Sequence, residues 1–99
     1  AHDNAPAKFE IGSKVSNSTI SAGCRIRGTV TGSILGRNVI IERGAVVRDS
    51  VVMEGCIVKE GSVVEHAIVD RSNIIPAGTE LRGTSEEILI QRKNNKRVA

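Results

Sequence analysis

The amino-acid sequence predicts an all-β protein: a single-stranded parallel β-helix of about four coils, closed at its C-terminal end by a capping strand. Three observations predict it. First, branched aliphatic residues recur at Leu35, Ile41, Val47, Val52, Val58, Val64, Val69, Ile75 and Leu81, in steps of six, six and five, so the register returns every seventeen residues. Neither an α-helix nor a hairpin sheet has that period; stacked triangular coils with one short strand per side do. Second, these positions line up as three columns that no charge interrupts: Ile20, Leu35, Val52 and Val69; Ile26, Ile41, Val58 and Ile75; Val15, Val30, Val47, Val64 and Leu81. Third, the residue three places after a column position is Gly23, Asn38 or Gly55 on one corner and Gly44, Gly61 or Gly78 on the next. A tight turn through positive φ selects Gly, then Asn. Ser72 departs from that pattern.

In chain order, residues 1–14 read as a linker entering from a missing N-terminal domain, with Pro6 and no periodicity, and with Phe9 as a plug over the open end of the stack. The β-helix proper is assigned to residues 15–91. Its first coil is fifteen residues long, because the block Ile26-Arg-Gly-Thr is two residues short. A second inward position near each corner holds small residues: Ser18, Ser33, Ser50 and Ala67 on one side, Ala45, Ser62 and Thr79 on another. The third side carries Cys24, Val39, Cys56 and Asn73 there. The repeat stops after Leu81-Arg-Gly-Thr, and 87–91 reads as the last strand, crossing or capping the end. Residues 92–99 read as a basic, disordered tail.

Composition excludes several function classes. Phe9 is the only aromatic residue, and the net charge of +3 is mild, so the basic tail lacks the aromatic interleaving of a nucleic-acid surface. No apolar run approaches the ~20 residues of a membrane-spanning helix. Two cysteines and no export signal imply a cytoplasmic location. Cys24 and Cys56 lie two coils apart, beyond the ~7 Å reach of a disulfide between Cα atoms, and read as free, buried, inert thiols. Two histidines, one of them in the linker, are too few for a three-histidine metal site, so no metal ligands are assigned.

Blocks of the form aliphatic-x-x-Gly/Asn-small-x resemble the hexapeptide repeat of left-handed parallel β-helices, and the handedness is implied by that resemblance alone. The stretch from Ser16 to Leu35 with its short coil, the stretch from Gly44 to Met53, and the stretch from Val69 to Thr79 together resemble the C-terminal domain of ADP-glucose pyrophosphorylase (glucose-1-phosphate adenylyltransferase). The details lean towards the GlgD-type companion subunit of bacterial glycogen synthesis. The resemblance covers roughly residues 6–90. It implies a parent that joins ATP and glucose 1-phosphate into ADP-glucose and pyrophosphate, with ATP and magnesium held in a missing catalytic domain. This fragment would then hold no cofactor and no catalytic residue. It would serve assembly and allosteric control, partnered by its own N-terminal catalytic domain and by catalytic subunits in a homo- or hetero-oligomer.

The outer surface fits that role. One outward column reads Thr19, Ile34, Val51 and Ile68, with Met53 beside it; another reads Arg25, Ile40, Ile57 and Ile74. Greasy outer columns predict covered surfaces. The third side is charged, with Arg48, Glu65 and Arg82 as an alternating ladder and Glu42 with Lys59 as a similar pair. Asp70-Arg71 matches an Asp-Arg pair that, in the resembled enzymes, lies near the cleft where anionic effectors bind, so Arg71 is the candidate effector residue. Arg25, Arg27 and Arg82 are weaker additions. Two alternatives stand beside this assignment. One is a hexapeptide acyltransferase with His66, stacked near Asp49, as general base; it lacks the extruded loop such enzymes use. The other is a β-helix module of a different sugar-nucleotide pyrophosphorylase. Asn73, inward and buried, reads as a structural amide bonded to turn backbone.

Overall fold

A computed structural model describes residues 5–93, and they form fifteen short strands and no helix. The strands follow one another around a triangle, three to a level. The first level is β1 (Lys8–Phe9), β2 (Lys14–Ser16) and β3 (Thr19–Ile20). Above it lie β4 (Arg25–Ile26), β5 (Thr29–Thr31) and β6 (Ile34–Leu35). Then come β7 (Ile40–Ile41), β8 (Val46–Arg48) and β9 (Val51–Val52), followed by β10 (Ile57–Val58), β11 (Val63–Glu65) and β12 (Ala67–Val69). The last level is β13 (Ile74–Ile75), β14 (Glu80–Arg82) and β15 (Leu89–Gln91). Each side is a five-stranded, all-parallel sheet: β1-β4-β7-β10-β13, β2-β5-β8-β11-β14, and β3-β6-β9-β12-β15. We call them sheets A, B and C. Five levels joined by four steps make about four coils, as the block lengths predict.

Register follows the columns. Ile26, Ile41, Val58 and Ile75 pair in line on sheet A, Val15 through Leu81 on sheet B, and Ile20 through Val69 on sheet C. The middle members of each column are fully buried. A narrow prism of this kind has no room for large side chains, and each branched side chain packs on its copy one level up at ~4.8 Å.

The corner between sheets B and C takes left-handed backbone at the first four levels. Asn17, Gly32, Asp49 and His66 occupy it with φ of 47°, 59°, 47° and 48°. Asn, Asp and His are among the non-glycine residues that most tolerate this region. Ser72, which broke the glycine pattern, adopts it too, at φ 58°. The short first coil is accommodated at Gly28. A Cβ there would lie 2.3 Å from the carbonyl oxygen of Ala45 and 2.8 Å from that of Glu42. The two-residue deficit draws the backbones together, and only glycine fits.

Small inward residues at corners do more than save volume. The Ser18 Oγ accepts the amide of Ser33 at 3.0 Å, the Ser33 Oγ that of Ser50 at 3.0 Å, and the Ser50 Oγ that of Ala67 at 3.1 Å. Each hydroxyl also donates to the carbonyl two residues before it. The result is a serine ladder that satisfies corner amides otherwise left without a partner. On another corner the Ser62 Oγ accepts from the Thr79 amide at 3.3 Å and donates to the Pro76 carbonyl at 2.6 Å, but the Thr79 amide also reaches that carbonyl, at 3.3 Å.

Both ends differ from expectation. Residues 8–9, within the stretch read as linker, add a strand to sheet A, with Phe9 opposite Ile26. Phe9 therefore continues an inward column rather than plugging the end, and it stays 53% exposed. At the other end β15 does not cross the stack. It runs parallel to β12, with Ile90 opposite Ile68. The tail read as residues 92–99 lies outside the described residues from 94 onward.

Candidate functional site

The outward residues of sheets A and C form two continuous apolar ladders. On sheet C, Ile34, Val51, Ile68 and Ile90 are register partners; on sheet A, Ile40, Ile57 and Ile74 are. Ile34 is 52% exposed, Ile74 59% and Ile90 57%, while Val51, Ile40 and Ile57 are half-buried by their ladder neighbours. Sequence reading missed Ile90. It foresaw a strand there but not its register, because the five extra residues between β14 and β15 hide the period. Sheet B is mixed outside: Val46 and Val63 are register partners and half-buried, between Thr29 and Glu80 in the same column, while the other outward column is charged. Arg48 Nη1 lies 3.3 Å from Glu65 Oε2, and Arg82 Nη1 lies 2.6 Å from Glu65 Oε1, so the alternating ladder forms. Glu42 and Lys59 form no ion pair among the described residues.

Met53 and Arg71 lie in the turns that carry the chain from sheet C to sheet A. Of the predicted interface residues, Met53 thus shares one edge of the prism with the predicted effector residue, and the others lie on the two faces that meet there. Arg71 is exposed, and its backbone amide donates to Asp70 Oδ1 at 2.8 Å. Glu54 lies one level below, where its carbonyl accepts the Ser72 amide at 2.9 Å. The Arg71 guanidinium has no ion-pair partner among the described residues.

The other candidate arginines are engaged. Arg25 and Arg27 share Glu10, at 3.4 Å and 3.1 Å. The Arg27 Nε is buried, and its approach to Glu10 lies off the hydrogen-bond direction, so the contact is chiefly ionic. Arg27 and then Arg25 hold the Glu10 carboxyl below the usual carboxylate range. Arg82 meets Glu80 as well as Glu65, and these bonds raise its pKa. The sequence grouped these arginines with Arg71; the structure places them on β4, in the segment after it, and on β14, each with a carboxylate.

His66 Nε2 lies 3.7 Å from Asp49 Oδ2, the neighbour expected from the column. The expected absence of a loop is corrected. Residues 83–88 bulge from this same corner, closed by bonds between Thr84 and Glu87 in both directions (2.9 and 3.1 Å). The loop shelters a concavity of about 340 Å³ lined by Arg82, Gly83, Thr84, Glu87, Ile88 and Leu89. His66 is not among the lining residues; its ring points to Asp49, one level away from the loop.

Cys24 and Cys56 are free and buried. Their thiols donate to the carbonyls of Gly36 at 3.1 Å and Asp70 at 3.0 Å, and burial pushes both pKa values up. Asn73 takes the structural role read for it. Its amide donates to Asp70 at 3.0 Å and reaches Arg92 and Gln91 at 3.3 and 3.4 Å, tying the last turn to the end of β15. Among the described residues no three His, Cys, Asp or Glu side chains converge as metal ligands.

Comparison with known proteins places this architecture. The hexapeptide family described as GlmU-like, C-terminal hexapeptide, matches residues 5–88. A Bacillus subtilis protein named glycogen biosynthesis protein GlgD is 45% identical over 92% of this chain, which covers 26% of that protein. A glucose-1-phosphate adenylyltransferase of Corynebacterium jeikeium is 46% identical over 74% of the chain and 18% of its own length. One from Streptomyces coelicolor is 52% identical over 46% of the chain and 12% of its own length. The chain thus spans about a quarter or less of the curated relatives it matches.

Proposed function

The chain belongs to the GlmU-like C-terminal hexapeptide family, and from that premise we propose that it is the C-terminal assembly and regulatory domain of a bacterial ADP-glucose pyrophosphorylase subunit of the GlgD type. The names of its relatives support the parent reaction, ADP-glucose formation for glycogen synthesis in the cytoplasm. In this proposal ATP and magnesium belong to a catalytic domain outside this chain. The β-helix docks that domain, or a catalytic subunit, and transmits an anionic effector signal through Arg71.

The observation that carries the proposal is the pair of apolar ladders on adjacent sheets. A solitary half-buried sheet presents polar residues to water. Here the last three levels of sheet A (Ile40, Ile57, Ile74) and the last four of sheet C (Ile34, Val51, Ile68, Ile90) do not, and these two faces meet at the edge that bears Met53 and Arg71. Burying an exposed isoleucine stabilises a complex by ~1.5–3 kcal/mol, so a few such residues make a docking face.

The test mixes the purified chain with the catalytic domain of a bacterial glucose-1-phosphate adenylyltransferase and follows association by sedimentation velocity. We expect a complex that Ile40→Glu with Ile57→Glu abolishes while the variant stays folded. Identical sedimentation of wild type and variant would refute the docking role. Arg71→Gln is expected to leave association intact and to blunt the response of ADP-glucose synthesis to anionic metabolites. Acetyl-CoA turnover by the chain that is lost in His66→Ala would instead establish an acyltransferase.

A further inference from the structure

The first two levels of sheet A hold a charge arrangement that docking does not explain. Lys8 of β1 and Arg25 of β4 are register partners. Phe9 and Ile26 occupy the inward column, so Lys8 and Arg25 both project outward from neighbouring strands. Like charges directly opposite each other destabilise a sheet. Sheet B solves this problem with alternation, Arg48 to Glu65 to Arg82. Here Arg27 adds a third cation, and Glu10 is the carboxylate that answers them, 3.4 Å from Arg25 and 3.1 Å from Arg27. Lys8 has no ion-pair partner among the described residues. Three cations against one carboxylate leave two positive charges uncompensated.

Beside the pair the surface is concave, about 240 Å³, lined by Ala5, Pro6, Lys8, Gly23, Cys24 and Arg25. Three backbone amides around it are already bonded: Gly23 donates to Ala5 at 2.7 Å, Lys8 to Cys24 at 2.8 Å, and Arg25 to Val39 at 3.0 Å. The charged groups that line it are the Lys8 ammonium and the Arg25 guanidinium, of which only Nη2 reaches Glu10, at 3.4 Å. Both are donors without acceptor capacity, so the ligand must be rich in acceptors and negative. A guanidinium fork matches two oxygens of one phosphate, and the lysine adds a point charge. A phosphate monoester carries about −1.5 to −2 at pH 7, the charge this site lacks. The volume falls below the ~300 Å³ at which pockets for drug-sized ligands begin, so the ligand is small.

We propose that Lys8 and Arg25 bind a phosphate group, either inorganic phosphate or a small phosphate monoester. The site is distinct from Arg71. Gly23 and Ser72 belong to the same corner column three levels apart, roughly 14 Å at the strand spacing. It stands on charge and geometry and does not depend on the proposed parent enzyme.

The experiment titrates the isotope-labelled 99-residue chain with inorganic phosphate, against chloride at matched ionic strength, and follows amide shifts by NMR. A second titration uses a hexose monophosphate. Saturable shifts at Lys8, Gly23 and Arg25 are expected. Lys8→Gln with Arg25→Gln should weaken binding by about a hundredfold, since each charge-assisted contact is worth about tenfold. Lys8→Gln alone should weaken it less, and Arg71→Gln should leave it unchanged. Tighter binding of the hexose phosphate assigns a monoester, and equal binding assigns the phosphate group alone. Shifts that follow ionic strength without saturating, shifts centred on Arg71, or binding indifferent to Lys8→Gln would overturn the proposal. The wild-type titration stands without any variant, and none of these outcomes bears on docking, which is read by sedimentation.

Discussion

Ser50→Ala isolates the serine ladder. Ser50 is 4% exposed, and its hydroxyl makes two bonds: it donates to the Arg48 carbonyl at 2.7 Å and accepts the Ala67 amide at 3.1 Å. The carbonyl loses little, because it still accepts the His66 amide at 3.1 Å. The Ala67 amide loses its partner outright, in a residue that is 1% exposed. An unmet buried donor costs ~1–3 kcal/mol, while the cavity left by one oxygen adds little. We expect a loss of about 2 kcal/mol. In a domain of this size that lowers Tm by roughly 8–16 °C. The assay is urea denaturation of wild type, Ser50→Ala and Ser18→Ala, with amide hydrogen exchange at Ala67. Ser18 lies at the more open end and should cost less. A loss under ~0.5 kcal/mol at Ser50, with Ala67 exchange unchanged, would refute the ladder as a source of stability. The fold supplies its own control at the last level. Ala67 carries no hydroxyl, and the amide facing it from the strand above, Leu89, donates to the His66 carbonyl at 3.0 Å instead.

Other predictions follow from the same geometry. Gly28→Ala should cost about 3 kcal/mol, at the upper end for overpacking, because its Cβ would strike backbone oxygens at 2.3 and 2.8 Å that cannot swing aside; thermal melting checks it. Cys24 and Cys56 should resist a disulfide-exchange reagent in the native protein and titrate as two thiols in denaturant, since burial keeps both protonated; fast native reaction would contradict their placement. Glu10 should contribute stability above its unfolded pKa near 4.5, and that contribution should vanish as pH falls through its lower folded pKa. The stability gap between wild type and Glu10→Gln should therefore be present at neutral pH and close in acid. A gap that widens in acid would have the wrong sign.

Much of the fold was legible because it repeats. Each level restates the same inside and outside pattern, so columns such as Ile26, Ile41, Val58 and Ile75 could be read before any register was known. Two of the three turn columns were legible for the same reason; the column of Asn17, Gly32, Asp49 and His66 was not, because its residue types vary, and Ser72 adopts positive φ with no sequence signal for it. The serine corners were read as small rather than hydrogen-bonding. Their amide partners lie 15 or 17 residues away, and volume and hydroxyl chemistry select the same residue. Of the candidate site, the apolar ladders were legible by position, but Ile90 was not.

By itself, then, the amino-acid order determined the coil period, the three buried columns and the two greasy outer faces. These are properties of short blocks, set by side-chain volume and turn stereochemistry within each block. Only the tertiary structure decided which outward groups become neighbours: Met53 and Arg71 on one edge, Arg25 and Arg27 on Glu10, Lys8 against Arg25, and loop 83–88 beside His66. The physical reason is register. Neighbours across levels are set by where the chain skips residues at Gly28, inserts them after β14, and adds β1 at the first level. The skip at Gly28 shows in the block lengths, but the insertion after β14 and the added β1 carry no periodic signal of their own.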